Sequence, residues 1–163
     1  MRCVILGRMD STERAALVAR YRDGHRAVVE ALTGITDAEL DARPAPGEWS
    51  AREVVHHLAD SEMTSAIRLR KLLAEDDAVI VGYDEPTFAR RLYYDRPIEA
   101  SLEALAAARR TTAEILDRLA QDEWGRVGTH TESGPYGVDD WLRIYADHAH
   151  DHAAQIVEAR ASV

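Results

Sequence analysis

The chain is poor in the residues that mark many protein classes. Its 163 residues contain one cysteine, Cys3, and one lysine, Lys71. A lone cysteine excludes an internal disulfide framework and fits a reducing, cytoplasmic setting. Aromatic residues amount to 6%. With alanine abundant, that composition favours closely packed helices over a β-sandwich. No apolar run approaches the ~18–20 residues of a membrane span. The opening Met1-Arg-Cys-Val-Ile-Leu-Gly-Arg-Met9 has too short an apolar run for a secretory leader and lacks a small-residue cleavage site. Positive charge is outweighed: a net charge of −9 argues against nucleic acid or an anionic membrane as the main partner. What remains is one soluble domain over residues 10–163, long enough to bury a core, behind an N-terminal extension of residues 1–9.

Four stretches carry helical periodicity. Asp10-Ser-Thr-Glu13 reads as a capping box for a helix to about Thr33, with Leu17, Tyr21, Val28, Ala31 and Leu32 inward and Gly34 as its stop. Thr36 to Glu39 caps one or two further turns before Pro44, Pro46 and Gly47 forbid regular structure. Ser50 and Glu53 form the clearest box, with Trp49 as a hydrophobic staple, and open a helix from about Ala51 to Ala74. Its apolar stripe comprises Val54, Val55, Leu58, Ile67, Leu69, Leu72 and Leu73. Pro97 opens a third helix, Ile98 to about Leu119, and Gly137 a fourth, from Val138, with Asp139 and Asp140 in its first turn. The connection from Asp76 to Pro97 is either a lid or a covering flap, with a short helical piece around Pro86 to Tyr94. The Gly-rich connection from Trp124 to Gly137 is a small hairpin or an open loop. Four helices joined by long connections describe an all-α four-helix bundle.

The histidines set the functional question. On the fourth helix Trp141, Tyr145, His148, His152, Gln155 and Ala159 follow a 4-3-4-3-4 spacing, the seam of a packed helix. His148 and His152 therefore face inward together, and His150 points elsewhere. On the second helix His57 lies in the apolar stripe, whereas His56 is displaced from it by about 100°. His25 and His130 read as boundary or loop histidines. Facing helices of a bundle bring His57 to His148 and His152, three neutral imidazoles with an open fourth position for water on a bound divalent ion. Such an ion lowers the pKa of a bound water or thiol and acts as a Lewis acid. Asp60 and Glu62, just past His57, are either ligand-orienting and proton-accepting groups or solvated helix carboxylates. Gln155, one turn beyond His152, is placed to hydrogen-bond a ligand or bound water.

Pro46-Gly-Glu-Trp-Ser50, Glu53-Val-Val-His-His-Leu-Ala-Asp-Ser-Glu62 and His148-x-x-x-His152-x-x-Gln-Ile156 stand in one order and spacing. By these the chain resembles the DinB/YfiT-like superfamily of metal-dependent enzymes, over about residues 11–160. The resemblance implies a bundle of up-down-down-up topology, often a homodimer. It also implies zinc or nickel on residues matching His57, His148 and His152. Related families include thiol-dependent S-transferases using bacillithiol or glutathione, mycothiol-dependent maleylpyruvate isomerases and proteins labelled hydrolases. A low-molecular-weight thiol thus joins the metal as a candidate cofactor. The expectation is an enzyme in which the metal activates thiol or water against a small electrophilic substrate, with Asp60 and Gln155 as catalytic candidates. The alternative is a non-catalytic, stress-associated scaffold with a structural or vestigial metal site.

Overall fold

Most helices of the chain begin on a side chain that accepts one of their free amides. In the computed structural model, which describes residues 9–163, helix α1 (Ser11–Leu32) starts on the Asp10 carboxylate, which accepts from the amides of Thr12 and Glu13 at 2.8 and 2.9 Å. The short α2 (Asp37–Asp41) and the long α3 (Ala51–Ala74) carry the expected reciprocal boxes, Thr36 with Glu39 and Ser50 with Glu53. Helix α4 (Glu85–Arg91) is capped by Asp84 and holds Pro86 in its first turn. Helix α5 (Glu99–Leu116) stops short of Leu119 because its end tightens: the Arg118 and Leu119 amides donate to carbonyls three residues back. In α6 (Val138–Arg160) the Asp140 carboxylate accepts the Gly137 amide at 2.9 Å.

The connection before α6 is a hairpin, β2 (Val127–His130) antiparallel to β3 (Gly134–Gly137), and β1 (Val79–Ile80) adds a parallel strand on its other side. The added strand was not anticipated, because two residues carry no periodicity. Lys71 and Arg68 of α3 fasten it, donating to the carbonyls of Val79 and Val81 at 2.8 and 2.9 Å. Residues 1–8, including Cys3, lie outside the described residues. Met9 is buried, and its amide donates to Asp139 at 3.1 Å.

Paired contacts fix the helix directions. Arg14 meets Asp139 near the start of α1 and α6, and Arg160 donates to the Ala31 carbonyl at 2.7 Å near their ends, so these two helices run parallel. His56 meets Ser101, and Arg70 meets Thr112, so α3 and α5 are parallel too. The Trp141 indole donates to the Ser65 carbonyl while His57 faces His148 and His152, which makes α3 antiparallel to α6. This is the up-down-down-up bundle. Its core forms two clusters, one around Tyr21, Leu69, Trp141 and Leu142 and one around Val28, Val54, Leu58, Leu105 and Ile156. Ile67 departs from its expected inward place and is exposed.

Between these clusters sits a buried charge pair. Glu62, read as a candidate site residue or a solvated carboxylate, is neither solvated nor beside the histidines by hydrogen bond: Arg109 of α5 donates to it at 2.6 Å, and both are almost fully buried. The Tyr21 hydroxyl also donates to Glu62, and Arg109 reaches the carbonyls of Tyr21 and Tyr145. Its guanidinium lies 4.0 Å from the centroid of the Tyr21 ring. One side chain from α5 thus touches α1, α3 and α6. Gly24 makes room for it, since a Cβ there would stand 2.7 Å from Arg109 Nη2 and 2.8 Å from the Ala149 Cβ. Burial pushes the Glu62 carboxyl up, against the pull of Arg109.

Removing one partner of such a pair strands a buried charge. Arg109→Met is expected to destabilise the fold by about 3–5 kcal/mol, and Gly24→Ala by about 1–3 kcal/mol through overpacking. Urea unfolding monitored by helical circular dichroism checks both; an Arg109→Met midpoint equal to the parent would contradict this account of the core.

Candidate metal centre

Three imidazoles meet where α3 crosses α6. The i,i+4 spacing puts His148 and His152 one above the other on the inward face of α6, and His57 comes from the antiparallel α3. One ring nitrogen of each lies within 4.8 Å of the others. The ring centroids stand 4.5 Å apart for His148 and His152, 4.7 Å for His57 and His152, and 5.4 Å for His57 and His148. Nitrogens sharing a tetrahedral ion at ~2.1 Å stand about 3.4 Å apart, so modest ring rotations close this cluster on an ion. Among the described residues no fourth histidine, cysteine or carboxylate joins the group.

The site's chemistry fits a cation on its own terms. The Nδ1 atoms of His57 and His148 are buried without a hydrogen-bond partner among the described residues. Each neutral imidazole carries one N–H and one lone pair, and leaving buried polar atoms unmatched costs about 1–3 kcal/mol apiece. A divalent ion that takes a lone pair from each ring is one way to recover that cost. Burial lowers the pKa of both His57 and His148 to about 3, and burial likewise lowers that of His152. All three are therefore neutral near pH 7, the form that ligates. Gln155 Oε1 accepts from His152 Nδ1 at 2.7 Å. An amide oxygen only accepts, so the proton is on Nδ1 and the lone pair on Nε2 faces the cluster. Gln155, one turn beyond His152, thus fixes the tautomer and orientation of that ring.

The other sequence candidates go elsewhere. One oxygen of Asp60 accepts the Tyr94 hydroxyl at 2.6 Å, and no described hydrogen bond joins Asp60 to the three histidines. His56 is fully buried, contrary to its position off the apolar stripe. It lies under the connection before α5, accepting from the Ser101 hydroxyl at 2.8 Å and donating to the Arg96 carbonyl at 3.0 Å. Helix α3 is covered on more sides than one stripe predicts, by α5, α6 and that connection. His150 turns to α1 and donates to the Arg20 carbonyl at 3.0 Å. His130 sits on β2, where its Nδ1 accepts the Glu132 amide at 3.2 Å.

Around the triad stand residues that no local pattern tied to the site. Trp49, legible only as a helix staple, lays its ring 4.7 Å from that of His57. Tyr145 stands edge-on to His148 at 5.7 Å, and Arg68 donates to its hydroxyl at 3.0 Å. Tyr145 was legible as part of the α6 seam, whereas Arg68 carried no signal, arginines being too common to choose among without a fold.

Comparisons with known proteins supply a family and a fold. The profile of the DinB superfamily matches residues 20–156. A protein of Oceanobacillus iheyensis named "putative metal-dependent hydrolase" is 34% identical over 139 residues, 85% of this chain and 81% of that one. One of Halalkalibacterium halodurans with the same description is 26% identical, covering 80% and 77% of the two chains. Among solved structures, YfiT from Bacillus subtilis, described as "a probable metal-dependent hydrolase with an unusual four-helix bundle topology", superposes with a TM-score of 0.89 at 26% identity, covering 97% of this chain and 91% of its own.

Because the folded pKa values of His57 and His148 lie below an unfolded value of ~6.5, the unfolded chain binds more protons as pH falls under that value. Their contribution to stability is complete above pH ~6.5 and declines toward pH ~3. Chelator-treated protein is expected to lose about 2 kcal/mol between pH 6.5 and 5.5 from these two groups. Urea midpoints at the two pH values measure this, and His57→Leu should reduce the slope. A parent whose midpoint ignores pH there would show that the two imidazoles are not held neutral.

Proposed function

The chain belongs to the DinB superfamily, and from that premise we propose that it is a metal-dependent hydrolase acting on a small molecule. The observation that carries the reading is the set of three neutral, inward-facing imidazoles, His57, His148 and His152, with no fourth protein ligand among the described residues. Structural zinc sites are normally closed by four protein groups, whereas catalytic ones keep a position for water or substrate. The relatives' names favour hydrolysis over the other chemistries of the superfamily.

A divalent ion, zinc or nickel, would supply Lewis acidity and acidify a water at neutral pH. The chain's own residues do the rest. His57 and His148 offer lone pairs from a dry setting, and Gln155 fixes the tautomer and tilt of His152. Trp49 shields the His57 ring on one side, keeping bulk water from that ligand. In this reading Asp60 is a positioning residue, holding Tyr94 and the connection before α5 through its hydrogen bond. A homodimer working in the cytoplasm is part of the proposal, and among the described residues no helix is long and apolar enough to cross a membrane.

Protein purified without an affinity tag is expected to carry about one divalent ion per chain. Hydrolysis of a panel of small activated esters and amides should be lost with chelator and return with zinc or nickel. His57→Ala should remove the ion and the activity, and Gln155→Ala should weaken metal affinity about 10–100-fold. Thiol transfer would instead show a rate that requires added glutathione or bacillithiol. Stoichiometric metal with no turnover under either condition would favour the scaffold.

A further inference from the structure

Several polar atoms beside the triad are buried and unspent. The hydroxyls of Tyr83 and Tyr136 and the Nε of Arg68 have no hydrogen-bond partner among the described residues. Tyr136 is only 7% exposed. Ser61 is near enough to Tyr83 to influence its titration, but no hydrogen bond of proper geometry joins them. These groups come from three places, the segment after β1, strand β3 and helix α3, yet they share one neighbourhood. Arg68 donates through Nη1 to the Tyr145 hydroxyl at 3.0 Å and through Nη2 to the Val81 carbonyl at 2.9 Å. Its guanidinium stands 5.9 Å from the centroid of the Tyr83 ring. Tyr136 lies within electrostatic reach of both Arg68 and Tyr145. Tyr145 in turn is edge-on to His148 at 5.7 Å. The cluster therefore adjoins the metal ligands.

We propose that Arg68, with the hydroxyls of Tyr83, Tyr136 and Tyr145, forms the subsite that takes a carboxylate group of the substrate beside the three histidines. The inference rests on the hydrolase reading above and names a substrate class for it. Buried polar groups are matched in folded proteins, and the unspent atoms here are donors. A phenol gives one proton, Arg68 Nε one more, and the Tyr145 oxygen, occupied by Arg68, leaves its own proton free. A phenol, with an ordinary pKa of ~10, is protonated at neutral pH, and burial raises that of Tyr83 further, to about 12. The Arg68 charge is met at its two Nη groups by neutral oxygens alone. Donors backed by one cation suit an acceptor with several lone pairs and a single negative charge, which describes a carboxylate. A phosphate dianion would exceed the single guanidinium. The acids in electrostatic reach of the three phenols are Glu85, exposed in the first turn of α4, which acts on Tyr83, Tyr145 and His152, Glu62, already paired with Arg109, which acts on Tyr145, and Asp140, which acts on Tyr136.

The test is calorimetric titration of the zinc-loaded full chain with benzoate, with benzamide as the neutral isostere and inorganic phosphate as a second anion. Benzoate is expected to bind at least about tenfold more tightly than benzamide, and more tightly than phosphate. Arg68→Gln should lower benzoate affinity about tenfold or more, and Tyr136→Phe about threefold, with both variants keeping one zinc per chain. Arg68 also ties down Val81, so Tyr136→Phe, which removes a single hydroxyl, reports even where Arg68→Gln folds poorly. The titrations are repeated on zinc-free protein, where benzoate cannot simply ligate the ion. A preference for benzoate over benzamide that survives there and vanishes in Arg68→Gln supports the subsite. Equal affinities for benzoate and benzamide, tighter phosphate, or benzoate affinity unchanged in both variants would overturn it. A chain that takes up no zinc yet keeps the Arg68-dependent preference would retain the subsite and overturn the metal-dependent reading instead.

Discussion

One guanidinium organises this bundle. Arg109 enters from α5, pairs with Glu62 of α3, reaches the Tyr21 carbonyl of α1 and the Tyr145 carbonyl of α6, and covers the Tyr21 ring. Oily contacts alone leave helices free to slide or rotate by a fraction of a turn at little cost. A buried ion pair with all its hydrogen bonds directed does not, because any slip leaves a charge unmatched in a low-dielectric core. The absence of a side chain at Gly24 is the complement of this arrangement, and it lets α1 close on Arg109 and on Ala149 of the parallel α6.

That register carries over to the site. Arg109 holds the carbonyl of Tyr145, one turn before His148, and Glu62 lies about a turn and a half beyond His57 on α3. The same polar layer that locks α3 against α6 thus sets the height at which the three imidazoles meet. Polar groups are graded across the crossing: a satisfied ion pair in the core, then unmatched imidazole nitrogens, then unmatched phenols around Arg68. Only the first is complete within the protein. For the other two we propose guests, a cation at the histidines and an anion beside them.

Much of this was legible in the sequence, and the reason is local. Capping boxes at Thr36 and Ser50, the α6 seam from Trp141 to Ala159, and the place of His57 on its stripe each depend on neighbours within a few residues. Glu62 and Arg109 were legible in principle, since each interrupts an apolar stripe one turn after a leucine, Leu58 and Leu105. Two opposite charges on facing stripes are a signature of a buried pair, and reading Glu62 by its nearness to His57 obscured it. His56 misled for a different reason: a stripe predicts burial on one side, and α3 is enclosed on several. Tyr83 and Tyr136 were beyond reach, because their place depends on a parallel strand pairing across some fifty residues, Val79 with Thr129 and Ile80 with His130, and nothing within two residues of chain encodes that pairing.

The central claim is an ion held by His57, His148 and His152 with a position left open. X-ray absorption at the zinc edge of the reconstituted protein reads the ligand set directly. Three imidazole nitrogens and at least one oxygen that exchanges with added acetohydroxamate are expected, with no stoichiometric zinc left in His57→Leu. A fourth protein ligand closing the shell, or fewer than three imidazoles in the parent protein, would contradict it.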